Sequence, residues 1–211
     1  MKKEIAKYLL DIKSVILRPE EPFNWASGIK SPIYCDGRLT LSYPEVRKDI
    51  EHGLCDIVKK HYPTCEMLMG TATAGIPHAA IMAQILDLPM GYVRNSAKKH
   101  GRTNQVEGLV KPGTKVVVVE DLISTGKSAL ESIEALEALG FEILGIVSIF
   151  SYNLEIGLKN LDRANVINHS LCDFESLIDV AAETGYIEKN DIDRLIAWKN
   201  NPQDESWITG K

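Results

Sequence analysis

Apolar positions along this chain alternate between two rhythms, helical spacing and short unbroken runs. Ile5, Leu9, Ile12 and Ile16 recur every three or four residues among charged neighbours, which predicts an amphipathic surface helix at the N-terminus. Val46, Ile50, Leu54, Ile57 and Val58 share one helical face over 44–60, with Pro44 suited to a first turn. Residues 66–72 read as a short strand ending at Gly70 and Thr71, 76–86 as a helix whose Pro77 is tolerated near its start, and 90–94 as the next strand. Val116, Val117, Val118 and Val119 form a run too apolar and too β-branched for anything but a strand buried on both faces, over 115–120. A helix at 129–139 is stopped by Gly140, and 142–150 is another apolar strand. Beyond Phe150 the pattern predicts a short helix at 154–160, a strand at 165–171, and helices at 174–183 and 190–200. Residues 96–109 have no apolar periodicity and read as a long polar loop, a length that in a compact domain points to function. Alternation of this kind predicts an α/β fold with a doubly wound, mostly parallel sheet.

The 211 residues make one domain, 1–211, in which 1–40 and part of the C-terminus are expected to form a small hood over the carboxyl edge of the sheet. A net charge of −5 leaves no basic footprint over the whole chain, so nucleic acid is not an expected partner. The N-terminus starts like a signal peptide, but Glu4, Lys7, Asp11 and Lys13 interrupt any apolar core. No segment approaches the ~18 apolar residues of a membrane span. Cys35, Cys55, Cys65 and Cys172 form no C-x-x-C pair and have no histidine at zinc spacing, which fits a reduced, cytoplasmic compartment.

The chemistry concentrates in VVVVEDLISTGKS, residues 116–128. Glu120 and Asp121 lie at the carboxyl end of the buried strand, where open parallel sheets bind ligands. Leu122 and Ile123 lead into a small, hydroxyl-rich turn of Ser124, Thr125, Gly126, Lys127 and Ser128, and a helix follows. Unpaired N–H groups at that helix start make a phosphate cradle. Acids beside such a cradle repel an anion unless ribose hydroxyls, a divalent metal or both give them work. Gly126-Lys127-Ser128 matches the end of a nucleotide-binding P-loop, but its first glycine would fall at Asp121, so that motif fails. Arg94, Lys98, Lys99, His100 and Arg102 crowd the polar loop and suit a pyrophosphate-bearing substrate.

A hydrophobic strand, two acids, two apolar residues and a Ser/Thr-x-Gly-x-Ser/Thr turn resemble the signature of the type I phosphoribosyltransferases. Three more segments resemble the orotate-using members of that family: FNWASGIKSPIYCDGR at 23–38, GTATAGIPHAA at 70–80 and YVRNSAKKHGRTNQVEG at 92–108. The resemblance implies transfer of ribose 5-phosphate from phosphoribosyl pyrophosphate (PRPP) to orotate. It gives the turn from Ser124 to Ser128 the 5′-phosphate, with Leu122 and Ile123 part of the same PRPP segment. Glu120 and Asp121 receive the ribose hydroxyls, and Arg94, Lys98 and His100 the pyrophosphate. Lys98 and Asp121 are the catalytic pair, and Ser124 also meets orotate. No protein metal ligands are implied; Mg²⁺ is held mainly by PRPP and water. The resemblance further implies closure of the 96–109 loop over the reaction and a homodimer with shared sites. Lys30 and Tyr34 are weaker candidates for the orotate pocket.

The chain departs from the family pattern at Asn95, Ala26 and Ala74, each standing where many members have lysine. Lys99 and Arg102 are available to compensate. Two other readings stay open from residue types alone: a salvage enzyme for another base, and a PRPP-sensing regulator.

Overall fold

The computed structural model describes residues 1–25, 28–95 and 105–209. Its centre is a six-stranded sheet in the order β10-β9-β8-β5-β6-β7. The strands are β5 (Met67–Thr71), β6 (Met90–Val93), β7 (Val106–Glu107), β8 (Lys115–Ile123), β9 (Glu142–Ser151) and β10 (Asn168–Asp173). All neighbours run parallel except β7, which returns antiparallel to β6 through Tyr92↔Glu107 and Val93↔Val106. The four valines of β8 are each 0% exposed. Val117 and Val119 face one core, with Leu54, Ala79 and Met82 of α2 (Pro44–His61) and α3 (Gly75–Leu86). Val116 and Val118 face the other, with Ala129, Ile133 and Leu136 of α4 (Lys127–Glu137). The period of two along a strand thus divides one apolar run between two helical layers.

The remaining helices are α1 (Lys2–Asp11), α5 (Glu155–Arg163), α6 (Phe174–Glu183), α7 (Asp191–Asn200) and α8 (Ser206–Thr209). Four short strands form two ribbons, β1 (Val15–Leu17) with β4 (Ile33–Cys35), and β2 (Phe23–Asn24) with β3 (Lys30–Ser31). The C-terminal helices hold these ribbons. Trp198 on α7 donates through Nε1 to the Lys30 carbonyl at 3.0 Å and packs edge-on against Trp25, with ring centroids 5.6 Å apart. Trp25 also meets Tyr152 edge-on at 5.7 Å. Arg194 donates to the carbonyls of Pro19, Trp207 and Ile208 at 2.7, 3.0 and 2.9 Å.

The structure corrects several expected boundaries. The N-terminal helix stops at Asp11, because Lys13 takes a left-handed φ of 57°, and Ile16 pairs with Tyr34 in a ribbon instead. β8 does not end at Glu120: Leu122 and Ile123 still pair with Phe150 and Ser151 of β9, so both acids lie within the strand. α4 starts two residues before the expected 129, at Lys127. Within the expected polar loop 96–109, Val106 and Glu107 form β7, a strand too short to carry a periodicity. The strand expected at 165–171 lies at Asn168–Asp173, since Val166 N–H still closes on the Leu161 carbonyl at 3.0 Å.

Candidate active site

Glu120 and Asp121 are consecutive in a strand, so their Cβ atoms leave it on opposite faces, while their carboxyl groups stay close enough to interact. Glu120 is 7% exposed. Burial, followed by the neighbouring Asp121, pushes its carboxyl up to about 8, against the pull of the Thr71 hydroxyl. Asp121 is half-buried on the other side, where it meets a 3-10 turn, Gly37–Ser42. A Cβ on Gly37 would stand 2.6 Å from Asp121 Oδ2, so only glycine lets the turn lie on that carboxylate.

Past Ile123 the chain turns through Ser124 and Thr125 to Gly126, which takes a left-handed φ of 74° and caps α4. No side chain caps this helix, Ser124 included, so its first N–H groups remain open to a ligand. A pocket of about 410 Å³ opens there, lined by Glu120, by residues 122–129 and by Glu131. The back of the turn rests on α5. A Cβ on Gly157 would fall 2.2 Å from the Ser124 carbonyl oxygen, and Asn160 Nδ2 donates to the Thr125 carbonyl at 3.0 Å. Sequence reasoning missed both residues; the available signal was a glycine inside an otherwise good short helix.

The second turn of the site follows β5. It passes through a cis peptide between Ala72 and Thr73 and enters α3 at Gly75. A Cβ on Gly75 would lie 2.2 Å from the Val119 carbonyl oxygen, so glycine draws the start of α3 onto β8 directly before Glu120. Arg94 is half-buried after β6. Its N–H donates to the Gln105 carbonyl at 2.8 Å, and its Nη1 lies 3.7 Å from Glu107 Oε1. It shares a pocket of about 200 Å³ with Ala72, Gln105, Ser128 and Glu131.

Of the expected site residues, Glu120, Leu122, Ile123, Ser124, Thr125, Gly126, Lys127 and Ser128 come together around one pocket. Asp121 faces the adjoining Gly37 turn, and Arg94 stands across Ser128. Lys98, His100, Lys99, Arg102 and Ala26 lie outside the described residues. Lys30 pairs with Glu205 at 2.8 Å, and Tyr34, 42% exposed, packs beside Phe23.

An acid pair near the carboxyl end of β8, a glycine-capped turn into α4 and a second glycine-tight turn across the same parallel sheet define a class of protein. Residues 44–176 match the phosphoribosyl transferase domain family, and the chain belongs to that family. Within the family it falls among the orotate phosphoribosyltransferases. It is 57% identical over 209 residues to the protein of that name from Bacillus cereus (strain B4264), covering 99% of this chain and 100% of that one. The crystal structure of orotate phosphoribosyltransferase from Aeropyrum pernix superposes with a TM-score of 0.75 at 30% identity, over 87% of this chain and 99% of that one. Leishmania donovani UMP synthase superposes with a TM-score of 0.80 at 26% identity, over 94% of this chain but 42% of that longer one.

Proposed function

We propose that this pocket transfers ribose 5-phosphate from PRPP to N1 of orotate, yielding orotidine 5′-monophosphate and pyrophosphate in de novo pyrimidine biosynthesis. The observation that carries this reading is the acid pair near the carboxyl end of β8, of which Glu120 lines one pocket together with an uncapped, glycine-turned helix start. The open N–H groups of the turn and the hydroxyls of Ser124, Thr125 and Ser128 take the 5′-phosphate. Glu120 and Asp121 accept from the ribose hydroxyls, and the Asp121 carboxylate favours the positive charge that grows on the ring as the C1–pyrophosphate bond stretches. Ser124, at the junction of strand and turn, meets orotate. Arg94, Lys98 and His100 meet the pyrophosphate, with Lys98 the flexible point charge that follows the leaving group.

The strand end and turn offer carboxylate and hydroxyl oxygens, the hard donors that suit Mg²⁺. In this reading the ion enters as part of the PRPP complex, held mainly by PRPP oxygens and water. When bound it neutralises pyrophosphate charge.

We further infer a homodimer with shared active sites, a hood formed by residues 1–40 with part of the C-terminus, and a cytoplasmic setting. Four unpaired thiols support that setting. Among the described residues no helix is long and apolar enough to cross a membrane. Loss of orotate absorbance on mixing with PRPP and Mg²⁺ tests the reaction. Orotate consumption dependent on both is expected; good turnover of hypoxanthine, guanine or uracil without orotate would overturn the choice of base.

A further inference from the structure

Behind the turn that follows β5 lies a buried histidine–glutamate pair that the reaction does not use. His78, one turn into α3, places Nδ1 2.6 Å from Oε1 of Glu51 on α2, and the two side chains are 0% and 1% exposed. Glu51 Oε2 and His78 Nε2 are equally buried and have no hydrogen-bond partner in the protein. Burial raises the Glu51 carboxyl, while His78, Arg47 and His52 pull it down, and Cys55 lies close on the same helix. Apolar side chains of this size would join α2 to α3 without stranding polar atoms, so stability does not account for the pair.

Its connections give it another role. Arg47 stands one turn before Glu51 on α2, and its Nη1 donates to the Leu41 carbonyl at 2.9 Å. Leu41 belongs to the 3-10 turn whose first residue, Gly37, lies on the Asp121 carboxylate, and Thr40 Oγ1 donates to the Gly37 carbonyl at 2.6 Å. At the other end, His78 is three residues past Gly75, where α3 touches β8. α2, which runs on from that turn through Tyr43 and is held to it by Arg47, therefore links the helix behind residues 72–75 to the turn that abuts Asp121.

We infer that His78 and Glu51 are positioning residues: their buried pair ties α3 to α2, which Arg47 in turn ties to the Leu41 carbonyl, and so sets the start of α3 relative to the Gly37 turn and the spacing between the pyrophosphate end of the pocket and Asp121. This rests on the reading of the pocket as a PRPP site. Neither residue touches substrate.

The test is PRPP binding to the full chain with Mg²⁺, by titration calorimetry, alongside turnover. In Glu51→Leu with His78→Leu, which removes both polar groups together, PRPP binding and pyrophosphate product inhibition are expected to weaken together by ~10-fold, with the KM for orotate little changed. His78→Asn keeps a donor near the Nδ1 position and should bind PRPP like wild type. Should the double variant not fold, the half-buried Arg47→Met carries the test, with PRPP binding weakened by ~3-fold. A folded double variant, or Arg47→Met, that binds PRPP as wild type does would reduce the pair to packing. A wrong base would silence orotate turnover in every protein, wild type included, yet leave the binding contrast readable. A wild type that binds no PRPP would remove both the site reading and the tether.

Discussion

Glu120 is hard to ionise, with 7% of its surface in water and a second carboxyl group as its next residue. Its folded-state value of about 8 stands above the ordinary 4.5, so the folded chain keeps a proton that the unfolded chain has lost between those values. Unfolding then releases a proton, and this contribution to stability falls as pH rises across that window. Glu120→Gln is expected to flatten that part of the profile, read by denaturant unfolding of both proteins at about pH 5 and about pH 8. Equal slopes would mean that Glu120 ionises freely in the fold. The adjacency of Glu120 and Asp121 is plain in the sequence; their division of labour is not. It arises from Thr71 on one side and Gly37 on the other, residues far away along the chain.

Among the elements, the turn proposed to take the 5′-phosphate depends on a helix with no visible chemistry. α5 approaches so closely that a methyl group on Gly157 would overlap the Ser124 carbonyl oxygen. Gly157→Ala must displace either the helix or the turn, at a cost of about 1–3 kcal/mol. Displacement of the turn should raise the KM for PRPP ~10-fold while that for orotate moves less. Steady-state kinetics with each substrate varied decides this, and an unchanged KM for PRPP would show that α5 yields instead. Legibility followed the length of each element. β5, α3, β6, β8, α4 and β9 were read close to their places because long apolar runs and helical faces are local. β7 has only two residues and exists because Val93 and Tyr92 offer it an edge, and the last three residues of β8 are strand only because β9 continues beside them. Partners remote in sequence made these segments, and no local periodicity announces them.

For the molecule as a whole, the proposed shared site makes activity a property of two chains. Lys98→Ala and Asp121→Asn should each be nearly inactive alone, Asp121→Asn by ~10²-fold. If the basic loop of one subunit serves the acid pair of its partner, each mixed dimer has one intact site and one doubly damaged site. Random reassortment of equal amounts then restores roughly a quarter of wild-type activity. No recovery after confirmed exchange of subunits would assign the loop to its own chain. This arrangement is carried by resemblance rather than by apolar pattern, because two-fold symmetry leaves no periodicity in a single sequence.

The packing of Trp198 against Trp25 and the Lys30 carbonyl also determines what light can report. The chain has three tryptophans, and Trp25, Trp198 and Trp207 all stand beside the short ribbons or on the C-terminal helices, with none in the central sheet. Intrinsic fluorescence is therefore a local gauge. A change in emission on adding a substrate registers rearrangement of that layer, and melting followed by emission times the release of the ribbons, whereas backbone circular dichroism follows the helices and sheet beneath.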